Sequence, residues 1–236
     1  MTDPGLDNLL SELDATRTPA VARFDPGGPF RGRLAFLPSA YNPPTLAHVH
    51  LLETALEVDG VEHVAAMLTT RNVAKDVFGA SLLDRVAMLL ELHGERPELA
   101  VLAANAARII DQASALSAAF SDVGVDAIVG FDTLERLFDP RYYDDMEREL
   151  APFFERHRVI AANRGDHRVT EVDAWVRANA GRFAGRILVR EIHAYPASLS
   201  STLVRESAAV GLGELPVSFG VRRYIEQHRL YRPPAT

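Results

Sequence analysis

RLAFLPSAYNPPTLAHVHLLETAL, residues 33–56, decides how the chain folds. Arg33 to Leu37 has the almost unbroken apolar character of a strand covered on both faces. Asn42, Pro43 and Pro44 forbid its continuation, because proline has no N–H to donate and restricts the residue before it. Thr45 is placed to cap a helix, and Leu51, Leu52, Ala55 and Leu56 recur at helical spacing to give that helix a core-facing side. The unit is therefore a buried strand, a tight turn and a helix. His48 falls in the first turn of the helix, near its free backbone N–H groups and the positive end of its dipole, where an anion binds. His50, two residues on, faces elsewhere and makes no metal pair with it.

Outward from this unit the same alternation repeats. Strands are predicted at 63–68, 99–103, 126–131, 158–163 and 186–192, and most of the intervals carry helical periodicity, the clearest being SLLDRVAMLLELHG with Ser81 as N-cap and Gly94 at its end. Such a series predicts an α/β fold: a Rossmann-like, doubly wound, mainly parallel sheet with helices on both faces. Ligands then bind at the carboxyl ends of strands, where the strand order reverses. Before the first strand, Leu6, Leu9, Leu10 and Leu13 mark a short amphipathic helix, followed by a Gly/Pro-rich connection. We therefore expect an extension over residues 1–30, docked on the domain or on a second subunit of a homo-oligomer, and one domain over residues 31–236.

Composition limits the function. A chain of 236 residues with 47% hydrophobic content buries a proper core. It has no cysteine, which removes thiolate metal sites and cysteine nucleophiles. The start is acidic, without a secretory pattern, and no apolar run is long enough for a bilayer, so a cytoplasmic location without membrane attachment is expected. A formal net charge of −7 with scattered arginines argues against a nucleic-acid partner. A small polyanion needs only a local cluster of positive groups.

Two further strand-to-helix turns carry chemistry. In LSSTLVRE, Ser200, Ser201 and Thr202 can cap a helix and expose its N–H groups, with Arg205 close enough to share a face with them. In VGFDTLERLF, Gly130 lets a ligand approach the backbone, and the Asp132 carboxylate accepts hydrogen bonds or caps the helix. A polar loop, TTRNVAKDVFGAS, carries Arg71 and Lys75.

SAYNPPTLAH resembles the strand-to-helix motif of the nucleotidyltransferase superfamily, matching at Asn42, Pro43, Thr45 and His48 and nearly at Tyr41, with Ser39 and Ala47 where glycine is usual. LSSTLVR resembles that superfamily's second phosphate motif. The ending VSFGVRRYIEQHRLY is similar to that of bacterial nicotinate mononucleotide adenylyltransferases, through Tyr224, Ile225, His228, Leu230 and Tyr231. The resemblance implies transfer of AMP from ATP to a small phosphorylated acceptor, nicotinate or nicotinamide mononucleotide in the leading case, with Mg²⁺ carried on the phosphates. It implies phosphate roles for Thr45, His48 and Arg205, and nucleotide contacts from Ser39, Tyr41, Asn42, Lys75, Gly130, Asp132, Ser200, Ser201 and Thr202. Arg85 stands where the family has an arginine that accompanies phosphate binding; a pairing with a neighbouring acid is the other reading. Nicotinate-specific enzymes usually have a Ser-Tyr-Thr segment and a tryptophan where this chain has ARIIDQASAL and Phe138. Transfer to phosphopantetheine, FMN or a cytidylyl acceptor, and a non-catalytic nucleotide-binding role, remain open at this point.

Overall fold

The computed structural model describes residues 4–71, 79–163, 167–192, 199–210 and 215–232. Its strands are β1 (Val21–Arg23), β2 (Arg33–Ser39), β3 (His63–Thr69), β4 (Leu99–Ala104), β5 (Gly124–Gly130), β6 (Arg158–Ala162) and β7 (Ile187–Arg190). The helices are α1 (Pro4–Ala15), α2 (Leu46–Leu56), α3 (Leu82–Glu95), α4 (Ile109–Ala119), α5 (Phe131–Leu137), α6 (Met146–Arg156), α7 (Val169–Asn179), α8 (Ser201–Ala209) and α9 (Phe219–Gln227).

The strands form one seven-stranded sheet in the order β1-β4-β3-β2-β5-β6-β7. Every pairing is parallel except that of β1 with β4. The apolar runs are explained by burial on both sides, since alternate residues of a strand point to opposite faces. Ala35 and Leu37 join the core under α1, α2, α3, α8 and α9, whereas Leu34 and Phe36 join the core under α4, α5, α6 and α7. Val64, Ala66 and Leu68 alternate with Ala65 and Met67 in the same way.

The chain winds outward from β2 through β3 to β4, then returns to place β5 on the other side of β2. The reversal therefore lies between β2 and β5. Their ladder stops at Phe36–Ala127, while β2 stays paired with β3 as far as Ser39–Leu68 and β5 with β6 as far as Gly130–Ala162. The two central strands part at their carboxyl ends, and a crevice opens where ligands of such sheets bind. Pro38 continues β2 where the ladder to β5 has already ended, so the strand runs past the Leu37 limit read from sequence.

The first 30 residues do more than form a helix. Leu10 and Leu13 of α1 are buried in the main core with Leu6 against it, while Leu9 faces solvent at 40% exposure. β1, which the sequence reading left inside a connection, extends the sheet edge through Val21–Ala104 to Arg23–Leu102. Three residues are too few for periodicity to reveal. Asp25 locks this edge: Oδ1 accepts from the Val101 N–H at 2.7 Å, and Oδ2 accepts from the Arg23 guanidinium at 2.6 Å and the Gly27 N–H at 3.0 Å. Burial pushes the Asp25 carboxyl up, but the Arg23, Val101 and Gly27 hydrogen bonds outweigh it and hold it below its ordinary value of 3.8. A depressed folded-state value stabilises above the unfolded value, and that contribution is lost as pH falls through the folded one. Urea unfolding of the native chain should accordingly show a fall in stability below about pH 4 that is shallower in Asp25→Asn; equal acid slopes would remove Asp25 from the account.

Candidate active site

The strand–turn–helix read from the sequence is present, and its turn is held by side chains on every side. Tyr41 takes a left-handed backbone conformation, φ 44°, with its side chain fully buried. Its hydroxyl donates to the Leu37 carbonyl at 2.7 Å, and its ring lies 4.8 Å from that of His48. Tyr41 thus contributes as a support beneath the histidine.

Thr45 caps α2, and His48 occupies the third position of the helix. His48 Nδ1 accepts the Thr45 backbone N–H at 3.0 Å, and Thr45 Oγ1 lies 2.8 Å from the same nitrogen. A backbone N–H can only donate, so Nδ1 carries no proton in this arrangement and the ring proton sits on Nε2. Nε2 lies 3.1 Å from Ser39 Oγ. The ring is therefore a donor toward the crevice. This excludes a Ser39 nucleophile activated by His48 as base, which needs an unprotonated Nε2, and it suits a group that holds an anion.

The second motif sits directly on the first. Ser200 caps α8, its Oγ accepting the Leu203 N–H at 3.2 Å. Ser201 Oγ donates to the Pro43 carbonyl at 2.8 Å, across 158 positions of sequence. Arg205 donates from Nη1 to the Asn42 carbonyl at 2.7 Å and from Nη2 to Thr202 Oγ1 at 3.0 Å. The Leu46 N–H, at the start of α2, donates to the Pro216 carbonyl at 3.0 Å and so ties the turn to the segment before α9. Two helix N-termini, the His48 ring and one guanidinium so converge on one place, each a feature that attracts phosphate.

The remaining candidates divide. Gly130 closes β5 beside the crevice and is itself the N-cap of α5, so Asp132 lies within the first turn rather than at the cap. Asp132 is half-buried, with Arg136 3.8 Å away. Lys75 lies outside the described residues. Arg71 turns to α1, donating to the Asp14 carbonyl at 2.6 Å. Arg85 is 4% exposed, and its guanidinium donates to the carbonyls of Ala80, at 2.9 Å, and Ala40, at 3.3 Å. A cation that close to a turn carbonyl positions the turn. Phe138 is buried at 7% exposure among Phe154, Trp175 and Phe183, where it presents no face to a ligand.

A cavity of about 420 Å³ between α4 and α6, reaching His157, opens at the amino end of β6 and is walled by Asp111, Glu149 and Arg156. Among the described residues, no group of three or more His, Asp or Glu could hold a metal ion, and no helix is long and apolar enough to cross a membrane.

No family model matches the chain. A curated protein of Schizosaccharomyces pombe, provisionally named a nicotinamide mononucleotide adenylyltransferase, is 27% identical over 132 residues, 54% of this chain and 52% of its own length. In sequence the chain is similar to this one curated mononucleotide adenylyltransferase. It spans about half the length of the curated relative it matches. In fold it is similar to the Plasmodium falciparum nicotinic acid mononucleotide adenylyltransferase, solved in complex with NaAD (TM-score 0.65) and with APC (TM-score 0.62). Each of these matches covers 85% of this chain and 98% of the other at 11% identity, so they speak for the fold alone. The mainly parallel sheet with helices on both faces is thus the fold expected from the sequence.

Proposed function

We propose that the chain is an adenylyltransferase of NAD biosynthesis, moving AMP from ATP to nicotinate or nicotinamide mononucleotide and releasing pyrophosphate. The observation that carries this reading is the pair of hydrogen bonds from Ser201 and Arg205 to the turn at Asn42 and Pro43, which joins two phosphate-attracting helix starts into one site. The acceptor's phosphate oxygen attacks the α-phosphorus of ATP. The bond from that phosphorus to the oxygen bridging to the β-phosphate breaks, and pyrophosphate carries the electron pair away. Nothing on the protein is covalently modified.

The work of the site is to position the reactants and to stabilise charge on the phosphate oxygens. His48 Nε2–H and the positive end of α2 face one part of the phosphate chain, with Thr45 holding the ring from behind through Nδ1. Ser200, Ser201, Thr202, Arg205 and the start of α8 face another. Ser39 and Asn42 line the turn, and Gly130 and Asp132 take the adenosine, the carboxylate accepting from ribose hydroxyls. Mg²⁺, when bound, would ride on the phosphates and neutralise their charge; the donors of this site are hydroxyls, N–H groups and cations, which fits a metal held chiefly by the nucleotide.

The acceptor rests on relationship, and the reaction class on the geometry. Purified chain should release pyrophosphate from ATP and Mg²⁺ when nicotinate or nicotinamide mononucleotide is added, and not without an acceptor. Activity with pantetheine phosphate or FMN alone would overturn the acceptor and keep the class. Absence of ATP binding in calorimetric titration would overturn both.

A further inference from the structure

The carboxyl-terminal segment reads in sequence as packing, yet its last described tyrosine reaches the turn on which the site is built. We propose that Tyr231 is a positioning residue for the nucleotide site, holding the Asn42 side chain and, through the Asn42 backbone, the orientation of Arg205. This rests on reading the site as one for ATP.

The Tyr231 hydroxyl donates to Asn42 Oδ1 at 2.9 Å across 189 positions of sequence. The same oxygen accepts the Ala80 N–H at 3.2 Å, so both of its lone pairs are engaged and the amide cannot rotate without losing a bond. The carbonyl of this residue is the one that accepts from Arg205 Nη1. Asn42 is 9% exposed, too buried to exchange these partners for water at no cost.

The surroundings leave it no freedom. Gly79, at φ +94°, brings its backbone against the same group; a Cβ there would stand 2.8 Å from Asn42 Oδ1, 2.9 Å from its Nδ2 and 3.2 Å from Tyr231 Cε1. Tyr231 itself sits at φ 65° and Arg229 at φ 53°, a left-handed conformation that side chains other than glycine adopt at a cost. Burial raises the Tyr231 phenol above its ordinary range, against the opposing pull of the Arg85 and Arg205 guanidiniums, so it stays protonated and able to donate. A ring alone would fill the space. The hydroxyl is what reaches the turn.

Tyr231→Phe keeps the ring and removes that donor. In calorimetric titration we expect ATP affinity to fall about fivefold, the size of one net hydrogen bond, while circular dichroism stays native. Amide hydrogen exchange at Ala80, whose N–H shares Asn42 Oδ1, should quicken without any ligand present. In an Arg205→Met background, where the donor to the Asn42 carbonyl is gone, Tyr231→Phe should lower ATP affinity no further. An equal loss in both backgrounds would make Tyr231 a stabilising residue only. Unchanged Ala80 exchange would overturn the contact itself. Failure of the native chain to bind ATP would overturn the nucleotide-site reading and the positioning role together, a result separate from the exchange measurement.

Discussion

His48→Ala is expected to lower adenylyl transfer by about 10² to 10³-fold, the cost of removing one preorganised donor from a site where negative charge is held. The ring is fixed from behind by the Thr45 N–H at Nδ1, which keeps Nε2–H on the crevice side, where it exchanges Ser39 Oγ, 3.1 Å away, for a phosphate oxygen. Alanine also deprives the Thr45 N–H of its acceptor, in a residue only 1% exposed, so some stability is lost, about 1 to 3 kcal/mol. His48→Asn separates the two effects. Its short side-chain oxygen can accept the same N–H and keep the cap, but it offers nothing at the position of Nε2. We expect His48→Asn to unfold in urea near the native midpoint and still lack most of the turnover; near-native turnover in that variant would return His48 to a helix cap. If Arg205 holds the same phosphate chain, adding Arg205→Ala should cost less than the sum of the single losses.

Asp126→Ala is expected to cost several kcal/mol of stability, about 3, while leaving the site residues untouched. Asp126 is fully buried in β5, where its Oδ1 accepts from Arg33 at 2.7 Å and its Oδ2 from Arg158 at 2.6 Å. These arginines open β2 and β6, the strands on either side, so one carboxylate joins three neighbouring strands at their amino ends. Removing it leaves two cations facing each other. Losing one partner of a buried ion pair costs about 3 to 5 kcal/mol, and the lower end applies because the Arg33 and Arg158 side chains keep 27% and 21% exposure. Urea unfolding measures this directly, and a loss below about 0.5 kcal/mol, that of an ordinary surface change, would contradict it. ATP affinity of the folded fraction should stay native, since the crevice lies at the opposite end of the strands.

The sheet was legible because its strands are buried on both faces, which turns Leu34 to Leu37 and Val64 to Leu68 into apolar runs that need no knowledge of their partners. Turns were legible for a similar reason: Thr45, Ser81 and Ser200 announce helix starts by their chemistry, and each does cap one. What stayed hidden depends on distant segments. Arg85 is a surface-type residue by sequence, and only the fold brings the Ala40 carbonyl within its reach. Tyr231 matched a family ending without disclosing that its hydroxyl meets Asn42. β1 is too short to carry a period, and it forms because Asp25 and β4 supply partners for its edge. The spacing of LSSTLVRE showed a helix start with an arginine, but not that Ser201 would reach Pro43.

The ties from Ser201 to Pro43 and from Arg205 to Asn42 close loops of 158 and 163 residues. Contacts so distant along the chain are among the last to be formed, because the entropy of closing them must be met before they return anything. The sheet from β2 to β6 can pair while the residues of α8 are still being synthesised, but the two helix starts cannot meet until then. Competence to bind a nucleotide should thus appear as a late event in biogenesis, after most secondary structure. Once ATP spans both helix starts it favours the closed loops over the open ones, and the ligand acts as a cross-link that withdraws partly assembled chains toward the finished protein.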